Sequence, residues 1–263
     1  MSEALKVPTM AEFMAQGKQP EVLFWVGCAG SFDDRAKKIT KAFVKLLNKA
    51  EIDFAVLGTE ESCTGDPAKR AGNEFLFQMQ AMMNIEVLNG YEIKKIITTC
   101  PHCFNTLKNE YPDLGGNYEV MHHTQFLNAL LSEGRLNVEG GKYKGKRITF
   151  HDPCYLGRAN NEYEAPRALL RKLEVELIEM HRCKSQGLCC GAGGAQMFKE
   201  SEPGDKEIFV ERTEDAIKTN PSIIAAACPF CNTMMTDGVK TKEKEQTIEV
   251  LDIAEMIVNA EDL

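Results

Sequence analysis

Several things are missing from this 263-residue sequence, and each absence excludes a class of function. No apolar run approaches the roughly 18 residues of a membrane span; the longest, such as Ile223 to Cys228, are strand-sized. Positive charge is not in excess: 31 Lys and Arg face 39 Asp and Glu, a formal charge of −8. That argues against nucleic-acid binding through a basic surface, and leaves docking on a partner's basic patch open. The opening Met1 to Gln19 carries acids and no apolar core of a secretory signal, so a cytoplasmic chain is expected. No CxxC is followed by His, which excludes a c-type haem. No Gly-x-Gly-x-x-Gly fingerprint offers a nucleotide site, and Gly191-Ala192-Gly193-Gly194 lacks its spacing. A ferredoxin-like C-x-x-C-x-x-C-x-x-x-C-P run is also absent. Electrons, if this chain handles them, must come from a partner.

Cysteine, by contrast, is abundant: there are ten. In a reducing compartment that number points to thiolates holding a metal or doing redox chemistry rather than to structural disulfides. Nine of the ten fall into a repeat. Cys28, Cys63, Cys100 and Cys103 match Cys154, Cys189, Cys228 and Cys231 at offsets of 126, 126, 128 and 128 residues, and Cys190 adjoins Cys189. Cys100-Pro101-His102-Cys103 parallels Cys228-Pro229-Phe230-Cys231, and Cys63-Thr64-Gly65 parallels Cys189-Cys190-Gly191. The chain reads as a tandem duplication.

Each half repeats one order of elements. Strand-like runs Val22–Val26, Phe54–Gly58 and Lys95–Thr99 each lead into a cysteine element, as do Arg147–Phe150, Glu176–Met180 and Ile223–Ala227. Between them lie helical stretches, one with Ala36, Ile39, Phe43, Leu46 and Leu47 on a face, another with a Phe75, Met79, Met82, Met83 stripe. This predicts an α/β fold: two three-layer-like domains, residues 1–140 and 141–263, with short parallel sheets and cysteines at the carboxyl ends of strands. The Gly/Lys stretch Glu139–Lys146 marks the boundary. Thr241–Gln246 reads as a charged surface loop, and Thr9 with Glu12 as a capping box opening a short helix that docks on the first domain.

Loops at the carboxyl ends of parallel strands converge on one crevice, so cysteines far apart in sequence meet. Pro101 and Pro229 suit the first turn of a helix, whose positive end favours thiolate. Gly30, Gly65 and Gly191 would let the backbone approach a bulky inorganic core. Three chemistries fit these residues. A thioredoxin-like dithiol needs only one CxxC and leaves the upstream cysteines unexplained. Structural zinc needs four ligands, which the first half could supply, while the second offers five matched positions. Iron–sulfur ligation uses them all.

Cys154, Cys189-Cys190-Gly191 and Cys228-x-x-Cys231, with His151-Asp152-Pro153-Cys154-Tyr155-Leu156-Gly157-Arg158, resemble the cysteine-rich "CCG" domain of the heterodisulfide reductase B subunit. That domain also occurs in iron–sulfur subunits of anaerobic glycerol-3-phosphate dehydrogenase, glycolate oxidase and lactate-utilisation proteins. The resemblance covers both halves. It implies an iron–sulfur subunit passing electrons between a ferredoxin-like or flavoprotein partner and a disulfide, quinone or other acceptor, at most peripheral to a membrane complex. It also implies a non-cubane [4Fe-4S] cluster on Cys154, Cys189, Cys190, Cys228 and Cys231. In the first half Thr64 replaces one cysteine, so Cys28, Cys63, Cys100 and Cys103 would suit a cubane. Outside this set stand Cys183, read as an idle or a resolving thiol, and His102, read as a cluster neighbour or an exposed loop residue. His151 and Asp152 read as strand-end hydrogen bonders or a proton relay. Arg70 and Arg158 read as solvated or as counter-charges, and His122-His123 as helical, split between core and surface, without chemistry.

Overall fold

A computed structural model describes residues 5–201 and 203–263; Met1 to Ala4, the start of the segment expected to lack a signal, lie outside them. The chain divides into two compact units, one ending at Asn137 and the other running from Val138 to Leu263.

In the first unit, α1 (Met10–Ala15) is followed by β1 (Val22–Trp25), α2 (Gly27–Phe32), α3 (Asp34–Lys49), β2 (Phe54–Ala55), α4 (Asp66–Arg70), α5 (Glu74–Gly90), β3 (Lys95–Thr98), α6 (Pro101–Asn105), β4 (Glu119–His122) and α7 (His123–Ser132). The strands lie in the order β2-β1-β3-β4, all parallel. The second unit repeats this as β5 (Arg147–Phe150), α8 (Glu164–Lys172), β6 (Glu176–Leu177), α9 (Ile208–Ile217), β7 (Ile223–Ala226), α10 (Pro229–Thr241), β8 (Glu249–Asp252) and α11 (Ile253–Ala260), with sheet order β6-β5-β7-β8. Both are doubly wound parallel sheets. Their order reverses between β1 and β3, and between β5 and β7, which is where such sheets open a crevice.

Strands β1 and β7 are buried along their whole length, as two-sided parallel strands must be. The expected face of α3, Ala36, Ile39, Phe43, Leu46 and Leu47, is buried, with Phe43 edge-on to Phe24 at 5.1 Å. The Thr9–Glu12 capping box is formed, and Met10 is buried with its amide on Val56.

Four expectations need correction. The α5 stripe faces outward: Phe75 is 76% exposed and Met82 61%, while Phe77, Ala81, Ile85 and Leu88 form the buried face. Each sheet has a fourth strand, β4 or β8, beyond the three read from the sequence. His122 ends β4 and His123 begins α7; neither reaches the surface. Finally, Gly30 serves packing between helices, since a Cβ there would lie 2.6 Å from Thr40 Oγ1 of α3.

Candidate metal centre

The crevice of the first unit collects four thiols from three loops. Cys28 sits in α2 just after β1, Cys63 follows β2, and Cys100 and Cys103 span the cap and first turn of α6 after β3. The Cys28 thiol hydrogen-bonds to Cys63, and Cys103 to Cys100, with electrostatic coupling between the two pairs. Cys63 is drawn down to about 7, first because Cys28 donates to it, with the Gly65 amide 3.5 Å from its Sγ assisting against burial. Cys28 and Cys103 are pushed up, each by its thiolate neighbour and by burial.

Five thiols gather in the second crevice and form a connected chain, Cys154 to Cys189 to Cys190 to Cys231 to Cys228. Cys190 Sγ lies 3.3 Å from Cys231 Sγ. Cys189 is held well below the usual thiol range by hydrogen bonds from Cys154 and Cys190 and by the Gly191 amide at 3.3 Å. Cys190 rises to about 12 beside it. The same amide-to-sulfur bond therefore recurs in both units, and both donors are glycines in the left-handed region, Gly65 at φ +87° and Gly191 at +89°, where a side chain would be strained. Position 64 keeps the geometry of its counterpart with a different atom. Thr64 is buried, and its hydroxyl faces Cys103 Sγ at 3.9 Å as Cys190 faces Cys231.

Polar residues around the thiols are mostly locked. His102 is buried, not exposed, with Nδ1 2.9 Å from Asp66, whose other oxygen accepts from Arg70 Nε at 3.0 Å. Burial pushes Asp66 up, but His102 and Arg70 outweigh it and hold the carboxyl below its usual range. Asp152 is clamped by Arg167 through two bonds of 2.8 and 3.0 Å and accepts the Lys184 amide, which occupies the oxygens a proton relay would use. His151 is fully buried; desolvation, then the Arg212 cation, lower it to about 3 and keep it neutral. Arg158 donates to the Gly187 carbonyl ahead of the cysteine doublet. Cys183 sits among the charges of Glu179, Asp152, Arg167 and Lys184, and burial pushes its thiol up. His122 and His123 lie in the core with their rings tilted by 59° and their centres 4.3 Å apart.

A family model described as "Cysteine-rich domain" (CCG) matches residues 22–108 and again 148–236. The chain belongs to this cysteine-rich domain family. It is 46% identical over 256 residues to the Bacillus subtilis protein named "Probable iron-sulfur-binding oxidoreductase FadF", covering 97% of this chain and 36% of that protein. With the "EtfAB:quinone oxidoreductase" of Syntrophomonas wolfei it shares 47% over 250 residues, covering 93% and 35%. With a component of the dihydromethanophenazine:CoB–CoM heterodisulfide reductase of Methanosarcina barkeri it shares 35% over 248 residues, covering 91% and 59%. The chain thus spans about a third of the length of the first two relatives. A hypothetical protein from Helicobacter pylori has the same fold, with TM-score 0.60, 9% identity, and coverage of 92% of this chain and 49% of that one.

Both cysteine-rich domains use groups the sequence reading missed. In the first, Glu61 accepts the Val26 and Gly27 amides at 3.0 and 2.6 Å, fixing the turn that presents Cys28; burial lifts its carboxyl to about 7 against those bonds. Its place two residues before Cys63 was the available signal. In the second, Arg212 reaches the site from α9, far from any cysteine motif in sequence, and no spacing marks it. Apolar cover also differs. Met197, Phe230 and Met234 pack on Cys190, Cys228 and Cys231, whereas His102 takes the place of Phe230 in the first domain.

Proposed function

We propose that the chain is an electron-transfer module that holds two iron–sulfur clusters within a larger oxidoreductase. What carries the reading is the convergence of nine of ten cysteines into two separate thiol nests at the carboxyl edges of duplicated parallel sheets. Soft thiolate sets with no carboxylate among them suit iron–sulfur ligation. The surroundings fit as well: His151 Nε2 and Arg212 Nη2 are buried donors with no partner among the described residues, as an anionic inorganic core would require. Cys154, Cys189, Cys190, Cys228 and Cys231 would hold a non-cubane [4Fe-4S] assembly. Cys28, Cys63, Cys100 and Cys103 would hold a cubane, since the Thr64 hydroxyl is a poor iron ligand. A bound cluster supplies one-electron redox chemistry. The protein's part is to fix the thiolates, direct the Gly65 and Gly191 amides at sulfur, and exclude water with apolar side chains.

The named relatives support placing this module between a flavoprotein or ferredoxin-like donor and a quinone or disulfide acceptor. No helix among the described residues is long and apolar enough to cross a membrane, and we read the chain as cytoplasmic or peripheral to a membrane complex. The test is anaerobic purification followed by iron and acid-labile sulfide analysis with EPR on the same sample. About eight irons per chain would fill both domains and about four would confine the cluster to one. Zinc or free thiols with no iron after reconstitution would overturn the reading.

A further inference from the structure

Three residues ahead of the first cysteine of each domain, at one sheet position, stands a buried ring nitrogen with a hydrogen and no acceptor. Trp25 ends β1 opposite Thr98. His151 follows β5, its amide bonded to the Ala225 carbonyl at 2.9 Å. The 126-residue offset between Cys28 and Cys154 also relates these two. Both are 0% exposed, and neither Trp25 Nε1 nor His151 Nε2 has a hydrogen-bond partner among the described residues. A buried unmatched donor is destabilising and rare in native proteins. Two at the same place in a duplicated fold point to an acceptor of the same kind in each domain.

For His151 the contacts fix which nitrogen donates. Arg212 Nε–H gives its hydrogen to Nδ1 at 2.9 Å, and a guanidinium cannot accept. The imidazole proton therefore sits on Nε2. A ring nitrogen of His151 and the sulfurs of Cys190 and Cys231 all lie within 4.8 Å of one another. Arg212 is itself 0% exposed, and its Nη2 is also without a partner among the described residues.

We infer that Trp25 and His151 are hydrogen-bond donors to the sulfurs of the cluster in their own domain, and that the His151–Arg212 pair raises the reduction potential of the second cluster. The inference rests on the iron–sulfur reading above. Reduction adds negative charge, so a hydrogen bond to sulfur favours the reduced state, and a buried cation beside it favours that state further. Trp25 brings the hydrogen bond without the cation.

An EPR-monitored redox titration of the anaerobically reconstituted full chain, with iron analysis on each sample, tests this. His151→Phe should shift the second-domain step, the one that Cys228→Ser removes, downward, and His151→Gln, which keeps a side-chain N–H, should recover much of the shift. Arg212→Met should lower the same step, and carries the test if His151→Phe fails to fold. Trp25→Phe should lower only the other step. Because Trp25 is the sole tryptophan, its emission should fall on reconstitution and stay high when Cys28→Ser and Cys63→Ser empty the first domain. Full iron with an unmoved potential in His151→Phe or Arg212→Met overturns this inference alone. Loss of second-domain iron in His151→Gln makes the imidazole a ligand, and overturns it too. A wild-type chain that takes up no iron overturns both this inference and the reading beneath it.

Discussion

Arg167 is 2% exposed and keeps its charge in the core because its guanidinium is matched on every side: Asp152 takes two bonds, Glu179 two more, and the Tyr163 carbonyl one. Such a pair adds little over an apolar substitute, but removing Asp152 leaves the buried guanidinium with Glu179 as its one carboxylate and two of its N–H groups short of an acceptor. Asp152→Ala should therefore destabilise the chain by about 3 kcal/mol, read as a lower urea midpoint under anaerobic conditions. It should also loosen the Cys183–Cys189 loop, since the Lys184 amide loses its acceptor. Thr64→Cys is the complementary experiment. The buried hydroxyl already faces Cys103 as Cys190 faces Cys231, so a thiol fits the space. Iron content should stay the same while the first-domain EPR signal moves toward that of the second; an unchanged spectrum would separate the fifth thiol from cluster type. At this scale the nine cysteines were legible because ligands must keep their spacing from the strands that carry them. Arg212, Asp66 and Glu61 were not, because a hydrogen bond to the site can come from any element that passes near it.

Among the elements, α5 shows where periodicity stops being informative. It carries two apolar stripes at helical spacing, Phe75-Met79-Met82-Met83 and Phe77-Ala81-Ile85-Leu88, and hydropathy does not choose between them. Packing chooses the second, and Phe77 is wedged beneath the cysteine loop: a Cβ on Gly65 would lie 2.8 Å from its ring, and the Lys69 ammonium lies over it at 4.3 Å. Phe77→Ala should cost about 3–5 kcal/mol through the cavity it leaves, and should weaken metal retention at Cys63. Met82→Ser, on the exposed stripe, should stay within about 0.5 kcal/mol; paired thermal melts of the two variants check both. Strands β4 and β8 escaped the sequence reading for another reason. Four residues with one alternation, as in Glu119-Val120-Met121-His122, are too few to stand out, and the cap that ends each strand is also the start of the next helix. His122 and Asp252 hold equivalent caps, accepting from the amides of Thr124 and Ala254.

At the scale of the molecule, the duplication was readable because its landmarks drift by only two residues, from an offset of 126 to 128, between the second and third cysteine elements. Within that interval the two domains differ widely: α5 has 17 residues where α9 has 10, and a longer loop ahead of α9 makes up the length. Loops and helices were free to change while the strand ends were not, as expected if a crevice at the strand ends is what the fold preserves. Each thiol nest is built from residues of a single unit. Cys28, Cys63, Cys100 and Cys103 all lie before residue 138, and Cys154, Cys189, Cys190, Cys228 and Cys231 all lie after it. Each domain should therefore load on its own. Cys228→Ser should lower iron from about eight toward about four per chain and leave one EPR signal; Cys100→Ser should remove about four and leave the other. If either single substitution empties both domains, the two sites assemble as one cooperative unit, and the independence argued from the separate thiol nests is wrong.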